Sequence, residues 1–275
     1  MKRVTRRQIL GPIGIVAGSC VLTSCLSEKL ASSPDKDSKP TFPWVYAELD
    51  PDITAQRTYY DCEKGHCMYG IFAAVMSQLA EKRGEPYKSF PVDMMRYGVG
   101  GTGGWGSLCG ALNGSAALVG LFAKTEEQLK QLVDEVFLWY EQTELPVYVP
   151  KKPILDIEMP KSVSNSVLCH VSATKWCEVS GHKAFTKPQK ERCKRLTADT
   201  AKKTVEILNA YFAGRFTAAR QFDEETKRCR SCHTKDSEMQ NSRGKTSCMS
   251  CHSSFTDKHP DQAARAWPVR SQKRL

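Results

Sequence analysis

The 275-residue sequence predicts a mainly α fold: a helical, Cys-rich domain followed by a small, loop-rich C-terminal segment. Three observations predict it. Apolar residues recur at i, i+3, i+4 and i+7 through several long stretches, and no stretch alternates apolar with polar residues as a half-buried strand would. Gly84 and Pro146 stand where two of the periodic stretches end. A hydrophobic fraction of 40% and a mean hydropathy of −0.45 allow a real core and exclude a polytopic membrane protein.

Residues 1–24 read as a signal peptide. Lys2, Arg3, Arg6 and Arg7 form a basic start, and no charge follows from Gln8 to Ser27. Thr5-Arg6-Arg7-Gln8-Ile9-Leu10 resembles a twin-arginine export signal, although the usual Lys after it is missing. Leu22-Thr23-Ser24-Cys25 resembles a bacterial lipobox, which makes Cys25 the lipidation site and attaches the exported chain to a membrane facing the periplasm. The plainer alternative is a signal peptide cut nearby. Residues 25–57, rich in Ser, Pro, Lys and Asp, read as a linker.

A helical domain is expected over 58–215. The spacing predicts a helix over 68–83 through Ile71, Phe72, Val75, Met76, Leu79 and Ala80, with Gly84 as its stop. A second is expected over 111–124. A third starts at Thr125, which forms a capping box with Gln128 and precedes Leu129, Leu132, Val133, Val136, Phe137 and Tyr140 on one face. Residues 146–165, with four prolines, form a connection of low helical content. Residues 197–220 are expected to be helical, burying Val205, Leu208, Phe212 and Phe216.

The segment 216–275 carries the sharpest motifs: Cys229-Arg230-Ser231-Cys232-His233 and Cys248-Met249-Ser250-Cys251-His252. In CxxCH, thiols at i and i+3 share a helix face and form thioethers with haem vinyl groups, while the His at i+4 reaches the iron. Cys229, Cys232, Cys248 and Cys251 are therefore expected to attach two haem c groups, with His233 and His252 as proximal ligands. The same spacing fits a zinc ribbon on a basic, nucleic-acid-binding chain. A ribbon needs no His after each second Cys, however, and export removes nucleic acid as a partner. Distal ligands are sought among His66, His170, His182 and His259; His170, beside Cys169, is the first choice. Met239 and Met249 are weaker thioether candidates.

Six cysteines remain in the helical domain: Cys62, Cys67, Cys109, Cys169, Cys177 and Cys193. Glycines from Gly98 to Gly110 deliver Cys109 to a helix start, and Cys67 opens another. Backbone N–H groups and helix N-termini there suit thiolates or an anionic cluster, so low-pKa thiols are expected at both. The Gly-rich run lacks the GK[ST] of a phosphate-binding loop. Cys67, Cys109, Cys177 and Cys193 are the best set for an iron–sulfur cluster, with Cys62 and Cys169 as alternates. Structural disulfides are the competing use of six exported thiols.

Cys67, Cys109-Gly110-Ala111-Leu112-Asn113-Gly114, Cys177 and Cys193 resemble the four-cysteine, CGAxxG-bearing family of redox-active proteins over residues 58–212. With tandem CxxCH motifs after it, the mature chain is similar to the split-Soret cytochrome c family of sulfate-reducing bacteria. The resemblance implies a homodimer, clustered haems with bis-histidine ligation that can cross the interface, a non-haem iron–sulfur centre, and electron exchange with redox partner proteins. The extra Cys62 and Cys169 and the lipobox depart from that pattern. A terminal reductase using the same centres is the enzyme alternative; a redox-sensing thiol protein is a third.

The net charge of +10 acquires a local meaning. Residues 183–275 hold 21 Lys+Arg against 10 Asp+Glu, so the excess lies in and beside the segment that would carry anionic haem propionates.

Overall fold

The computed structural model describes residues 41–252; the leader with Cys25, the first part of the expected linker and His259 lie outside the described residues. The described chain is mainly helical, as expected. Its elements are α1 (Pro51–Arg83), a 3₁₀ helix (Val92–Gly98), α2 (Gly110–Phe122), α3 (Glu126–Gln142), α4 (Cys169–Ser180), α5 (Lys187–Phe212), α6 (Glu224–His233) and α7 (Met249–His252). Pairing between extended segments is confined, among the described residues, to the bridges Leu108↔Leu168 and Leu145↔Ser162. No described helix is long and apolar enough to cross a membrane.

One core joins α1, α2, α3 and α5. Ile71, Phe72, Val75, Met76 and Leu79 of α1 are buried in it, against Leu112, Leu118 and Phe122 of α2, Leu132 and Val136 of α3, and Leu196, Val205 and Leu208 of α5. Each such side chain contributes about 1.5–3 kcal/mol of transfer free energy. Thr125 caps α3 by accepting from Gln128 N at 3.2 Å, while Gln128 Oε1 accepts from Lys124 N at 3.0 Å.

Three boundaries differ from the periodicity. The expected linker to residue 57 ends much earlier, because α1 begins at Pro51 and Trp44, Tyr46 and Leu49 are already buried. Asp50 caps α1 through Asp52 N and Ile53 N at 2.8 and 3.0 Å, and Pro51 fits the first turn. The fourth expected helix starts ten residues too late and runs too far: α5 spans Lys187–Phe212, Phe212 is 41% exposed and Phe216 is half-buried outside it. Its first turns are dense in charge, yet Glu191, Arg192, Lys194 and Arg195 are all buried. Glu191 accepts from Tyr59 Oη at 2.6 Å and pairs with Arg195 Nε at 2.8 Å and Lys194 Nζ at 3.1 Å, which compensates these three charges and leaves Arg192 outside the network. Helix α4 was not expected at all; it buries only Ser172 and Trp176, too narrow a face to give a periodic signal.

Asp199, buried on α5, accepts from Val147 N at 2.8 Å and fastens the proline-rich connection to the core. Burial raises its carboxyl from 3.8 to about 6. The folded state therefore holds this proton more tightly than the unfolded one, and the contribution is complete below pH 3.8 and lost as pH rises through about 6. Up to ~3 kcal/mol of stability should disappear across that window. Asp199→Asn, which keeps an oxygen for Val147 N, should flatten this part of the curve in urea denaturation at stepped pH.

Candidate redox centres

The haem-motif segment is docked by the polar face of α3. Glu135 Oε2 accepts from Ala219 N and Arg220 N, both at 3.0 Å. Gln142 Nε2 donates to Gln221 O at 2.7 Å, and Lys245 Nζ meets Asp134 at 2.5 Å. Glu141, 4% exposed, accepts from Ser247 N at 3.2 Å and from the Thr246 hydroxyl; its burial raises its carboxyl pKa. Glu135→Ala should leave two N–H groups unsatisfied, cost about 1–3 kcal/mol, and speed limited proteolysis within 216–247 while sparing α1–α3.

Within the segment, Asp223 caps α6 by accepting from Thr226 N at 2.7 Å. The last turns of α6 carry Cys229, Cys232 and His233, so the first CxxCH lies on a helix, as its chemistry needs. Asn241 Oδ1 lies 2.7 Å from His233 Nδ1. An acceptor there fixes the tautomer with its proton on Nδ1 and directs Nε2 to a metal. Ser242 N and Met239 N return to His233 O and Cys232 O at 2.9 and 2.8 Å, wrapping the connecting loop around α6. The second motif starts α7 nearby: Cys248 N donates to Thr226 Oγ1 at 3.4 Å, and the Cys248 thiol interacts with that of Cys229. Cys232 and Cys251 are exposed, and Cys229 and Cys248 half-buried, which leaves all four open to a large planar group. The chemistry of each motif, two accessible thiols and a following imidazole, fits covalent attachment of haem.

The other cysteines gather around Cys193 of α5. Helix α1 breaks at Gly65 and His66, whose φ of 66° is left-handed, and restarts at Cys67. The Cys67 thiol hydrogen-bonds to Cys193, whose sulfur also accepts from Gln189 Nε2 at 2.9 Å. The Gly-rich loop turns through five positive-φ glycines between Gly100 and Gly106, and ends at Cys109. It is tied to the start of α4 by Cys109 N to Val167 O, Cys169 N to Ser107 O and His170 N to Gly106 O, at 2.9, 2.7 and 3.1 Å. Gly106 has to be small because a Cβ there would come within 2.9 Å of His170 Cβ.

Cys62, Cys67, Cys109, Cys169 and Cys177 all interact electrostatically with Cys193. Among the described residues no three His, Cys, Asp or Glu side chains converge as a ready metal cage, so the thiols form a neighbourhood rather than a preformed tetrahedron.

The expectation of low-pKa thiols at Cys67 and Cys109 needs correction. Donation to Cys193 and burial raise Cys67, and burial raises Cys109. It is Cys193 that is lowered, by the Cys67 hydrogen bond and then by the Arg192 cation. The Cys193 hydrogen bond and then desolvation at Cys67, and desolvation at Cys109, outweigh the dipole. Arg192 is 2% exposed, its Nε has no hydrogen-bond partner, and it forms no carboxylate ion pair among the described residues. A buried guanidinium in this position fits an anionic thiolate-held group. Of the expected distal histidines, His170 is exposed on the first turn of α4, His182 stacks on Trp176 at 5.7 Å, and His66 sits in the α1 break.

The family described as "Putative redox-active protein (C_GCAxxG_C_C)" matches residues 69–207. "Split-Soret cytochrome c" of Desulfovibrio desulfuricans is 38% identical over 219 residues, covering 77% of this chain and 78% of that protein. This chain belongs to the split-Soret cytochrome c family. A solved structure, "A novel iron centre in the split-Soret cytochrome c from Desulfovibrio desulfuricans ATCC 27774", shares the fold with a TM-score of 0.73 and 36% identity, covering 78% of this chain and 92% of that one.

Membership identifies an electron-transfer redox protein and bears out the resemblance drawn from the cysteine pattern. One detail differs: the family's pattern is written Gly-Cys-Ala-x-x-Gly, whereas this chain reads Cys109-Gly110-Ala111-Leu112-Asn113-Gly114. The structure also brings in residues that sequence reading passed over. Arg192, Gln189 and Asn241 reach the cysteine neighbourhood or a motif histidine, and Glu135 and Glu141 hold the haem-motif segment to α3.

Proposed function

We propose that this chain is an exported electron-transfer protein carrying two haem c groups in its C-terminal segment and an iron–sulfur centre among the cysteines of its helical domain. The observation that carries the reading is the docking on α3 of the segment that bears both CxxCH motifs, through Ala219, Arg220 and Ser247, with the second motif tied to α6 by Cys248 N to Thr226 Oγ1. Covalent attachment through Cys229, Cys232, Cys248 and Cys251 keeps the haems bound through redox cycling, and His233 and His252 ligate their irons. Haem and iron–sulfur groups supply one-electron transfer; the chain holds them close and excludes water from the cysteine side. Cys67, Cys109, Cys177 and Cys193 are the proposed ligands of the second centre, with Cys62 and Cys169 as alternates.

In this reading the leader exports the chain and Cys25 is lipidated, so the protein works at the periplasmic face of a membrane with redox proteins as partners. It acts as a homodimer, and the exposed His170 is the first candidate for a distal ligand, ahead of His66, His182 and His259. The basic residues of 183–275 balance the haem propionates. The novel iron centre of the Desulfovibrio desulfuricans split-Soret cytochrome c supports this assignment.

Carbon monoxide separates a carrier from a reductase. A spectrum of the dithionite-reduced protein that is unchanged by carbon monoxide is the expected result, since a second histidine on each iron would leave no open position. A carbonyl shift would mark an open iron and overturn the pure carrier in favour of an enzyme.

A further inference from the structure

Arg192 stands in a place where an arginine is costly. It is 2% exposed, yet among the described residues it forms no ion pair with a carboxylate. Neighbouring charges are accounted for differently: Glu191 takes Arg195 and Lys194, and Lys194 also reaches Glu63 at 2.7 Å. Arg192 keeps only neutral or thiol contacts, with Nη2 donating to Ser172 Oγ at 2.8 Å and Nη1 lying 4.0 Å from Cys193 Sγ. Its Nε is buried without a partner. Ser172 in turn accepts from Tyr140 Oη at 2.8 Å, so the hydroxyls around the guanidinium orient it without neutralising it.

A buried cation with an unsatisfied donor requires an anion close by, or it costs several kcal/mol. The surrounding groups able to become anionic are thiols: Cys109, Cys169, Cys177 and Cys193 all feel the Arg192 charge. They come from the Gly-rich loop, α4 and α5, and Arg192 touches two of these elements directly, α5 at Cys193 Sγ and α4 at Ser172 Oγ.

We infer that Arg192 is the fixed counter-cation of the cysteine-held iron centre and favours its reduced state. The inference rests on the iron-centre reading above. An iron centre held by these thiolates would gain one unit of negative charge on one-electron reduction. Arg192 stays protonated throughout, so no proton moves and the buried positive charge stabilises the reduced form more than the oxidised one. Arg192 is a positioning residue here; it donates no electron and is not itself a ligand.

The test uses the full chain as Arg192→Met and Arg192→Lys, with iron and sulfide content and the midpoint potentials of the iron centre and haems measured on each. Arg192→Met should move the iron-centre potential downward by at least 59 mV, a tenfold change in the oxidised-to-reduced ratio for a one-electron couple, and leave the haem potentials in place. Arg192→Lys should recover most of the shift. If Arg192→Met fails to take up iron while Arg192→Lys succeeds, the requirement for charge is upheld. An unchanged potential in Arg192→Met, or loss of iron from both variants, would overturn the inference in favour of a role in shape alone. Wild-type protein with no non-haem iron would remove the iron-centre reading itself, and this inference with it.

Discussion

Gly114→Ala should lower stability markedly, and Gly120→Ala in the same helix should raise it. A Cβ at Gly114 would lie 2.3 Å from Ile71 Cγ2, inside any real contact distance, and a tight 3.0 Å from Met68 O, whereas one at Gly120 meets nothing within 4 Å. Gly110 is under the same constraint, with the Gly98 carbonyl oxygen at 2.7 Å and Cys67 Cβ at 3.2 Å. Gly110 and Gly114 are four residues apart on one face of α2, so they let it lie directly on α1 at Met68 and Ile71. This close crossing sets Cys109, the residue before Gly110, beside the start of the second half of α1, where Cys67 sits. Overpacking should cost Gly114→Ala about 1–3 kcal/mol, or 2–4 °C of Tm for each kcal/mol, and separate the two thiols. Gly120→Ala should gain up to about 1 kcal/mol from helix propensity. Thermal denaturation of the pair checks both signs, and only Gly114→Ala should also lose non-haem iron.

Cys229→Ala/Cys232→Ala should yield a protein with one covalent haem in place of two. The thiols lie on the last turns of α6 and no other cysteine of that helix can substitute for them. The fold of the helical domain should survive, because α6 contributes no residue to the main core. Haem-stained denaturing gels and pyridine haemochrome spectra should report half the wild-type haem per chain, with the melting of α1–α3 little changed.

What could be read from the sequence tracks the distance over which each feature is encoded. The CxxCH motifs carry their chemistry within five residues. Helix α3 announces itself through an amphipathic stripe, α2 through a nearly continuous apolar run, and the second half of α1 through Ile71, Phe72, Val75 and Leu79. The first turns of α5 were illegible because their buried face is made of Glu191, Arg192, Lys194 and Arg195, which read as solvent-facing until Tyr59 and Glu63 arrive from α1. Cys67 and Cys109 read as activated thiols from their helix starts, but burial and the Cys67 hydrogen bond transfer that character to Cys193. The Ser- and Pro-rich residues before Asp50 masked a segment that packs Trp44 and Tyr46 into the core and a helix that starts at Pro51. Asn241, eight residues beyond His233, lies in a polar loop with no periodic signal to single it out.

The haem, iron and acid-labile sulfide content of full-length protein purified without oxygen tests the proposal of two haems and a separate iron centre most directly. The account predicts two haem c per chain, iron in excess of haem, and sulfide accompanying that excess. A chain with no Soret absorption and bound zinc, or with iron equal to haem and the six thiols of the helical domain oxidised, would contradict it.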